Sequence, residues 1–256
     1  MPDWEPEKYL KYKRERTRPV YDLISRIELN GPERILDIGC GPGNSTAALR
    51  ERWPCSEIIG IDSSPAMVER AQCDHPDIKF VVMDAGRDLS SLGEFDLVFA
   101  NASLQWIPDH EALLPRLLGM LRPGGVLAVQ VPQFDEMPIS KALTEAAASS
   151  AWNAYFAGFE PGFAFRPARA YYDILSGMAK DLQLWSIDYY HIMPSHEAIM
   201  DMMEPTGLRP YLERLPSTHR HAFKQAVIDR LETCYPRQSD GSVLYPFKRL
   251  FIVACR

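Results

Sequence analysis

The chain of 256 residues carries 28 Lys and Arg against 34 Asp and Glu, a formal charge of −6, and is 46% hydrophobic and 24% charged. Those proportions fit an ordinary globular fold of one large domain or a core with an insertion, and exclude a disordered chain, a collagen-like fibre and a small disulfide scaffold. The acidic balance argues against a broad nucleic-acid surface, and no window approaches the roughly 18 consecutive apolar residues of a membrane span, so a cytoplasmic protein with a small-molecule partner is expected.

In chain order, the N-terminal segment over 4–18 puts Tyr9, Tyr12 and Arg16 on one helical face, and short apolar or β-branched runs over 35–38, 58–61, 79–83 and 96–100 read as strands. Helical stretches separate them over 45–52 and after Pro65, where Ser63 or Ser64 is the expected N-cap. A helix over 111–121 is expected to stop at Arg122-Pro123-Gly124-Gly125, which turns the chain into a strand over 126–131. Strands alternating with helices imply right-handed crossovers and a mostly parallel sheet. The second half is helical over 138–178 and again over 195–203 and 217–235, with returning strands over 182–191 and 247–254, seven strands in all. The expected division is a core over 1–135, a helical cap or acceptor region over 136–180 and 192–245, and returning core strands over 181–191 and 246–256.

Five cysteines without a C-x-x-C pair fit reduced thiols rather than disulfides, and the six histidines include no H-E-x-x-H, so no metal site is indicated. The chemistry concentrates in Ile35-Leu36-Asp37-Ile38-Gly39-Cys40-Gly41-Pro42-Gly43-Asn44-Ser45, a glycine turn between strand and helix where backbone approaches a ligand closely. Asp62, at the end of the second strand, suits the two hydroxyls of a ribose, which makes the ligand a nucleoside. A dinucleotide is disfavoured, because Asn44 stands where G-x-G-x-x-G requires a small residue and Asp37 would repel a pyrophosphate while suiting an ammonium or sulfonium.

At these residues the chain resembles the class I S-adenosylmethionine-dependent methyltransferases. The resemblance is carried by Leu36-Asp37-Ile38-Gly39-Cys40-Gly41-Pro42-Gly43, Gly60-Ile61-Asp62-Ser63-Ser64, Met83-Asp84-Ala85, Phe95-Asp96-Leu97-Val98 and Leu121-Arg122-Pro123-Gly124-Gly125. It implies an α/β, Rossmann-like fold: a seven-stranded mostly parallel sheet with helices on both faces and a helical cap from insertions in the C-terminal half. It also implies S-adenosylmethionine as cofactor, yielding S-adenosylhomocysteine. The cofactor set would be Asp37, Gly39 and Gly41 at the methionine part, Asp62 with Ser63 at the ribose, Met67, Asp84 and Ala85 at the adenine, and Asn101 next to the sulfonium. Arg16 is expected to reach the cofactor's carboxylate from the N-terminal segment.

A narrower likeness runs from end to end, through Trp4, Tyr9, Leu10, Leu104-Gln105-Trp106-Ile107-Pro108-Asp109-His110, Thr206-Gly207-Leu208-Arg209-Pro210 and Tyr245-Pro246-Phe247-Lys248-Arg249. It is similar to the trans-aconitate methyltransferases, and implies carboxyl methylation to a monomethyl ester. Such an acceptor is already ionised at neutral pH and needs placement rather than a general base. It also needs cations, and among Arg166, Arg169, Arg209 and Arg249 the last two are favoured because a neighbouring Pro or strand places them. Tyr172 and His191 are candidate hydrogen-bond donors to the acceptor, and Trp106 a wall of the methyl-transfer site. The alternatives are transfer to a phenol or amine, for which His191 and His110 are the available bases, and a non-catalytic S-adenosylmethionine-binding module.

Overall fold

The computed structural model describes residues 12–256, apart from the side chain of Lys13. Trp4, Tyr9 and Leu10 of the expected N-terminal helix lie outside the described residues. In chain order the elements are α1 Lys13–Ile24, β1 Arg34–Ile38, α2 Asn44–Arg52, β2 Glu57–Asp62, α3 Pro65–Asp74, β3 Lys79–Val82, β4 Phe95–Asn101, α4 His110–Gly119 and β5 Leu121–Pro132. There follow α5 Pro138–Ala148, α6 Asn153–Phe156, α7 Ala168–Leu175, β6 Asp181–Met193, α8 His196–Met203, α9 Arg209–Arg214, α10 Ser217–Cys234 and β7 Val243–Cys255.

The strands form a seven-stranded sheet in the order β3-β2-β1-β4-β5-β7-β6. β1 pairs in parallel with β2 and β4, β2 with β3, and β4 with β5. β7 runs against β5, since the Gly124 amide donates to the Arg256 carbonyl and the Arg256 amide to that of Gly125. The strand order reverses between β1 and β4, and in open α/β sheets the crevice at such a reversal, at the carboxyl ends of the strands, is where ligands bind. β1, β2 and β4 bury Leu36, Ile38, Ile59, Ile61, Val98 and Ala100 to 2% exposure or less, the near-continuous apolar run of strands covered on both faces.

Two compact units make up the chain. The first comprises residues through Pro132, Phe163–Ser186 and Leu250–Arg256, and holds the parallel strands. The stretch 163–180, expected in the cap, groups with this unit because α7 buries Tyr171 and Leu175 completely in its core. The second comprises Gln133–Gly162 and Ile187–Arg249. There α5 presents Ile139, Ala142, Leu143 and Ala146 at helical spacing, all buried. The Ile139 amide, one of the unpaired donors of the first helical turn, donates to the Tyr235 hydroxyl at 3.1 Å.

Two local expectations change. β5 begins at Leu121 rather than 126: Phe95 pairs with Leu121 and Leu97 with Val126, so Pro123-Gly124-Gly125 are taken up as a bulge instead of a separate turn. A Cβ on Gly125 would sit 2.9 Å from the Arg122 carbonyl oxygen, which only glycine avoids. The short helix α9, not expected from the sequence, begins at Arg209 with Pro210 in its first turn, where a missing N–H costs nothing.

Candidate functional site

The glycine turn is tied to the next strand: the Gly39 and Cys40 amides donate to the Ile61 carbonyl at 2.8 and 3.0 Å. Gly39 has φ +66°, and a Cβ there would lie 2.2 Å from Ser103 Cβ, so the positive φ and the Ser103 side chain together dictate glycine. Gly41, at φ +54°, has no atom within 4 Å of a built Cβ, which leaves open space over its backbone.

Asp62 sits where β2 ends. One carboxylate oxygen accepts from the Gly41 amide and the other from the Ser64 amide, both at 2.9 Å. An ionised carboxylate offers about four lone-pair sites, and two of them fix its orientation here. Ser64 caps α3 by accepting from the Met67 amide at 3.2 Å, with Pro65 following at the first helical position; Met67 is buried and Ser63 exposed. The Met83 amide donates to the Asp62 carbonyl at 2.9 Å, which brings Asp84 and Ala85 beside the end of β2. Asp84 is exposed, accepts from the Gly86 amide at 2.8 Å and lies 3.4 Å from Arg87 Nε.

Asp37 is fully buried, and its Oδ2 accepts from both the Ser45 and Thr46 hydroxyls at 2.7 Å. Burial pushes its carboxyl up to about 6; the Thr46 and Ser45 hydrogen bonds oppose that rise, and the Asp62 charge adds to it. Asp37 Oδ1 and Asn101 Oδ1 are both buried acceptors without a protein partner. Such atoms are rare in native proteins and call for a bound donor. A ligand bearing a cationic amine and hydroxyls satisfies them, whereas a pyrophosphate would meet a buried carboxylate. The residues therefore fit S-adenosylmethionine. Arg16, in α1, is partly buried.

The chain then passes from β4 into the segment 102–109. The Ala102 amide donates to the Gln130 carbonyl at 2.9 Å, and the Ser103 hydroxyl to the Ile38 carbonyl at 2.7 Å. Trp106 meets Phe163 edge-on at 4.9 Å. His110 is committed on both nitrogens: Nε2 lies 2.9 Å from the Leu104 carbonyl, which only accepts, so Nε2 carries the proton and Nδ1 accepts the Tyr171 hydroxyl at 3.0 Å. Burial holds its pKa below the usual histidine range. His110 is thus a structural strut rather than the available base considered from the sequence. Tyr172, one residue beyond Tyr171, is 53% exposed.

In the second unit Arg249 is only 4% exposed, its guanidinium 4.5 Å from the Phe247 ring centroid and 6.0 Å from that of Tyr189. His191, also buried, packs 5.9 Å from Phe247 and 6.2 Å from Tyr245. Arg209 forms an ion pair with Glu213 at 2.7 Å on its own helix. The arginines not favoured from sequence are likewise partnered within the first unit, Arg166 by Glu111 at 3.2 Å and Arg169 by Asp173 at 3.8 Å. Among the described residues, no group of three His, Cys, Asp or Glu side chains is placed to hold a metal ion, and no helix is long and apolar enough to cross a membrane.

The sequence singles out neither Ala102 nor Ser103, and it brings in Gln105 only as part of the stretch Leu104–His110, with no role of its own. Their importance lies in backbone conformation and in contacts that no motif spells out.

Comparison with known proteins agrees with this geometry. A methyltransferase-domain family matches residues 35–125, from β1 through the start of β5. The chain is 45% identical to the trans-aconitate 2-methyltransferase of Escherichia coli over 100% of this chain and 99% of that protein, and 46% identical to that of Shigella flexneri serotype 5b over the same spans. Among solved structures, the YcgJ protein of Bacillus subtilis superposes with TM-score 0.61 at 14% identity, over 93% of this chain and 97% of its own. The Haemonchus contortus phosphoethanolamine N-methyltransferase 2 complex with S-adenosylmethionine gives 0.57 at 16%, over 92% of this chain and 52% of its own. At those identities the structural likeness shows the fold alone.

Proposed function

The chain belongs to the trans-aconitate 2-methyltransferase family, and from that premise we propose that it esterifies one carboxylate of trans-aconitate, or of a closely related small polycarboxylate, in the cytoplasm. It is an S-adenosylmethionine-dependent methyltransferase. The observation that carries the acceptor is the full-length identity, which extends through both units rather than stopping at the methyltransferase domain.

When bound, S-adenosylmethionine supplies an electrophilic methyl group on a sulfonium. Asp62, held by the Gly41 and Ser64 amides, is assigned the ribose hydroxyls, next to Ser63. The buried Asp37 and Asn101 acceptors are assigned the cationic methionine end, beside Gly39 and the open space over the Gly41 backbone, and Arg16 takes the carboxylate. Met67, Asp84 and Ala85 are assigned the adenine.

The acceptor carboxylate, with an ordinary pKa near 4, is ionised at pH 7 and attacks without a base. His110 supports that reading, since both of its nitrogens are already committed. In the second unit, Arg249 and His191, which packs on the same Phe247 ring, are assigned the non-reacting carboxylates, because a buried guanidinium stacked on aromatics is pre-oriented for bidentate binding. Arg209 is a secondary candidate, its charge shared with Glu213. In the first unit, Trp106 is assigned exclusion of water, and the exposed Tyr172 a hydrogen bond to the acceptor.

The test is a panel of small acids, phenols and amines with labelled S-adenosylmethionine. We expect label in trans-aconitate, with a rate flat across about pH 6–8.5. Preference for a phenol or amine, with a rate rising steeply through neutral pH, would overturn the assignment.

A further inference from the structure

We propose that Gln105 is a positioning residue for methyl transfer, locking the strained backbone that follows β4 so that Asn101 keeps its place at the cofactor. The proposal rests on the S-adenosylmethionine reading above and concerns the first unit alone. Among the described residues, two non-glycine positions have left-handed backbone, Ala102 at φ 52° and Asp109 at φ 58°, and they bracket the turn that carries Trp106. Asp109 explains itself: its side chain caps α4, accepting from the Ala112 amide at 3.0 Å. Ala102 has no polar side chain to offset the crowding of its Cβ, so its neighbours must hold it.

Those neighbours grip both sides of the residue. The Ala102 amide donates to the Gln130 carbonyl at 2.9 Å, and Gln105 Nε2 donates to the Ala102 carbonyl at 2.8 Å. Because a carbonyl only accepts, the Gln105 amide is oriented with its nitrogen toward Ala102. Gln105 is 6% exposed, and its Oε1 is buried with no protein partner.

The main chain of Gln105 has a second task. Its carbonyl accepts the Ala164 amide at 2.8 Å, while Trp106 packs on Phe163 at 4.9 Å and Phe163 on Phe165 at 5.1 Å. One residue therefore fastens the aromatic stretch around 164 to the turn after β4 and holds Ala102 in its strained state. With the Nε2 donor removed, nothing fixes the Ala102 carbonyl, and the peptide relaxes toward the right-handed region. The preceding residue, Asn101, turns with it.

The cleanest perturbation is Gln105→Met, which keeps volume and loses the donor, paired with Ala102→Gly, for which left-handed backbone carries no penalty. The readouts are S-adenosylhomocysteine affinity by calorimetry, independent of any acceptor, and thermal melting. Because the left-handed backbone of an L-residue is strained, Gln105→Met should weaken binding about tenfold, or about 1.4 kcal/mol. Ala102→Gly alone should stay within about twofold of wild type, and the double variant within about threefold, because the glycine no longer needs the clamp. Should Gln105→Met melt below the assay temperature, Gln105→Asn, with an amide too short to reach, takes its place. Unchanged affinity in the Gln105 variants, or a double variant as weak as Gln105→Met, overturns the proposal while leaving the cofactor reading standing. A wild-type protein that binds no S-adenosylhomocysteine overturns the cofactor reading and the proposal with it.

Discussion

Replacing Asp62 with Asn tests the cofactor site at its best-defined group. The two carboxylate oxygens accept one amide each, Gly41 on one and Ser64 on the other, both at 2.9 Å. Asparagine has one oxygen, so its NH2 group must face one of those amides, donor against donor. One charge-assisted hydrogen bond is lost, worth about 1.5–3 kcal/mol, together with the negative charge. Part of that loss falls on the fold, because Gly41 and the cap of α3 are both anchored through Asp62. A ribose hydroxyl bound at the lost oxygen loses a bond of comparable size on top of it. Cofactor binding should then weaken by about 2–4 kcal/mol, roughly 30- to 1,000-fold in Kd. Calorimetry with S-adenosylhomocysteine reads the affinity and thermal melting reads the anchor. A lowered Tm with affinity within about twofold of wild type would show that Asp62 only braces the turn, and would refute the ribose assignment.

The two glycines of the turn should behave differently: Gly39→Ala drives a Cβ to 2.2 Å from Ser103 Cβ and should cost more than about 2 kcal/mol of stability, whereas Gly41→Ala, at φ +54° but with no atom within 4 Å, should cost only the backbone strain of about 1–2 kcal/mol and in addition raise the cofactor Kd. A Gly41→Ala protein that binds S-adenosylhomocysteine like wild type would contradict the open approach assigned there. Asp37, with its carboxyl raised from 3.8 to about 6, contributes stability when protonated, and that contribution is lost as pH rises from about 4 through 6, on the order of 3 kcal/mol at most. Asp37→Asn should therefore melt above wild type at pH 7 and level with it near pH 4, yet bind the cofactor more weakly at pH 7; equal melting at both pH values would refute the buried ionised carboxylate. Arg249→Lys keeps the charge but loses the planar stack on Phe247, and should raise the acceptor KM about tenfold with cofactor affinity unchanged. A lowered Tm with an unaltered KM would make Arg249 a packing residue.

The parallel strands and the glycine turn after β1 were legible because their determinants are local. The apolar run of β1, the glycines after it and Asp62 at the end of β2 lie within one strand–helix–strand unit, and each has a conformational reason visible in its own residue type. What escaped was non-local. Pro123-Gly124-Gly125 read as a stop, since nothing nearby reveals that β4 will absorb them as a bulge. The segment 163–180 read as cap because its grouping with the core depends on Tyr171, whose hydroxyl meets His110 far upstream. The same contact removes His110 from the possible bases. Arg209 and Arg249 looked equivalent in sequence, and only packing separates an ion-paired helix residue from a guanidinium buried against Phe247. The strain at Ala102 has no sequence signature at all, because alanine tolerates many settings and only the bonds from Gln105 and to Gln130 reveal this one.

The central claim is that this chain moves a methyl group onto a carboxylate, and the direct measurement is the identity of the product. Incubated with S-adenosylmethionine and trans-aconitate, the protein should form one equivalent of S-adenosylhomocysteine per acid heavier by a single methylene, and mild alkali should return that acid to trans-aconitate, as it does an ester. S-adenosylhomocysteine formed with no ester, or a methyl group stable to alkali on an amine or phenol in place of the acid, would contradict the account.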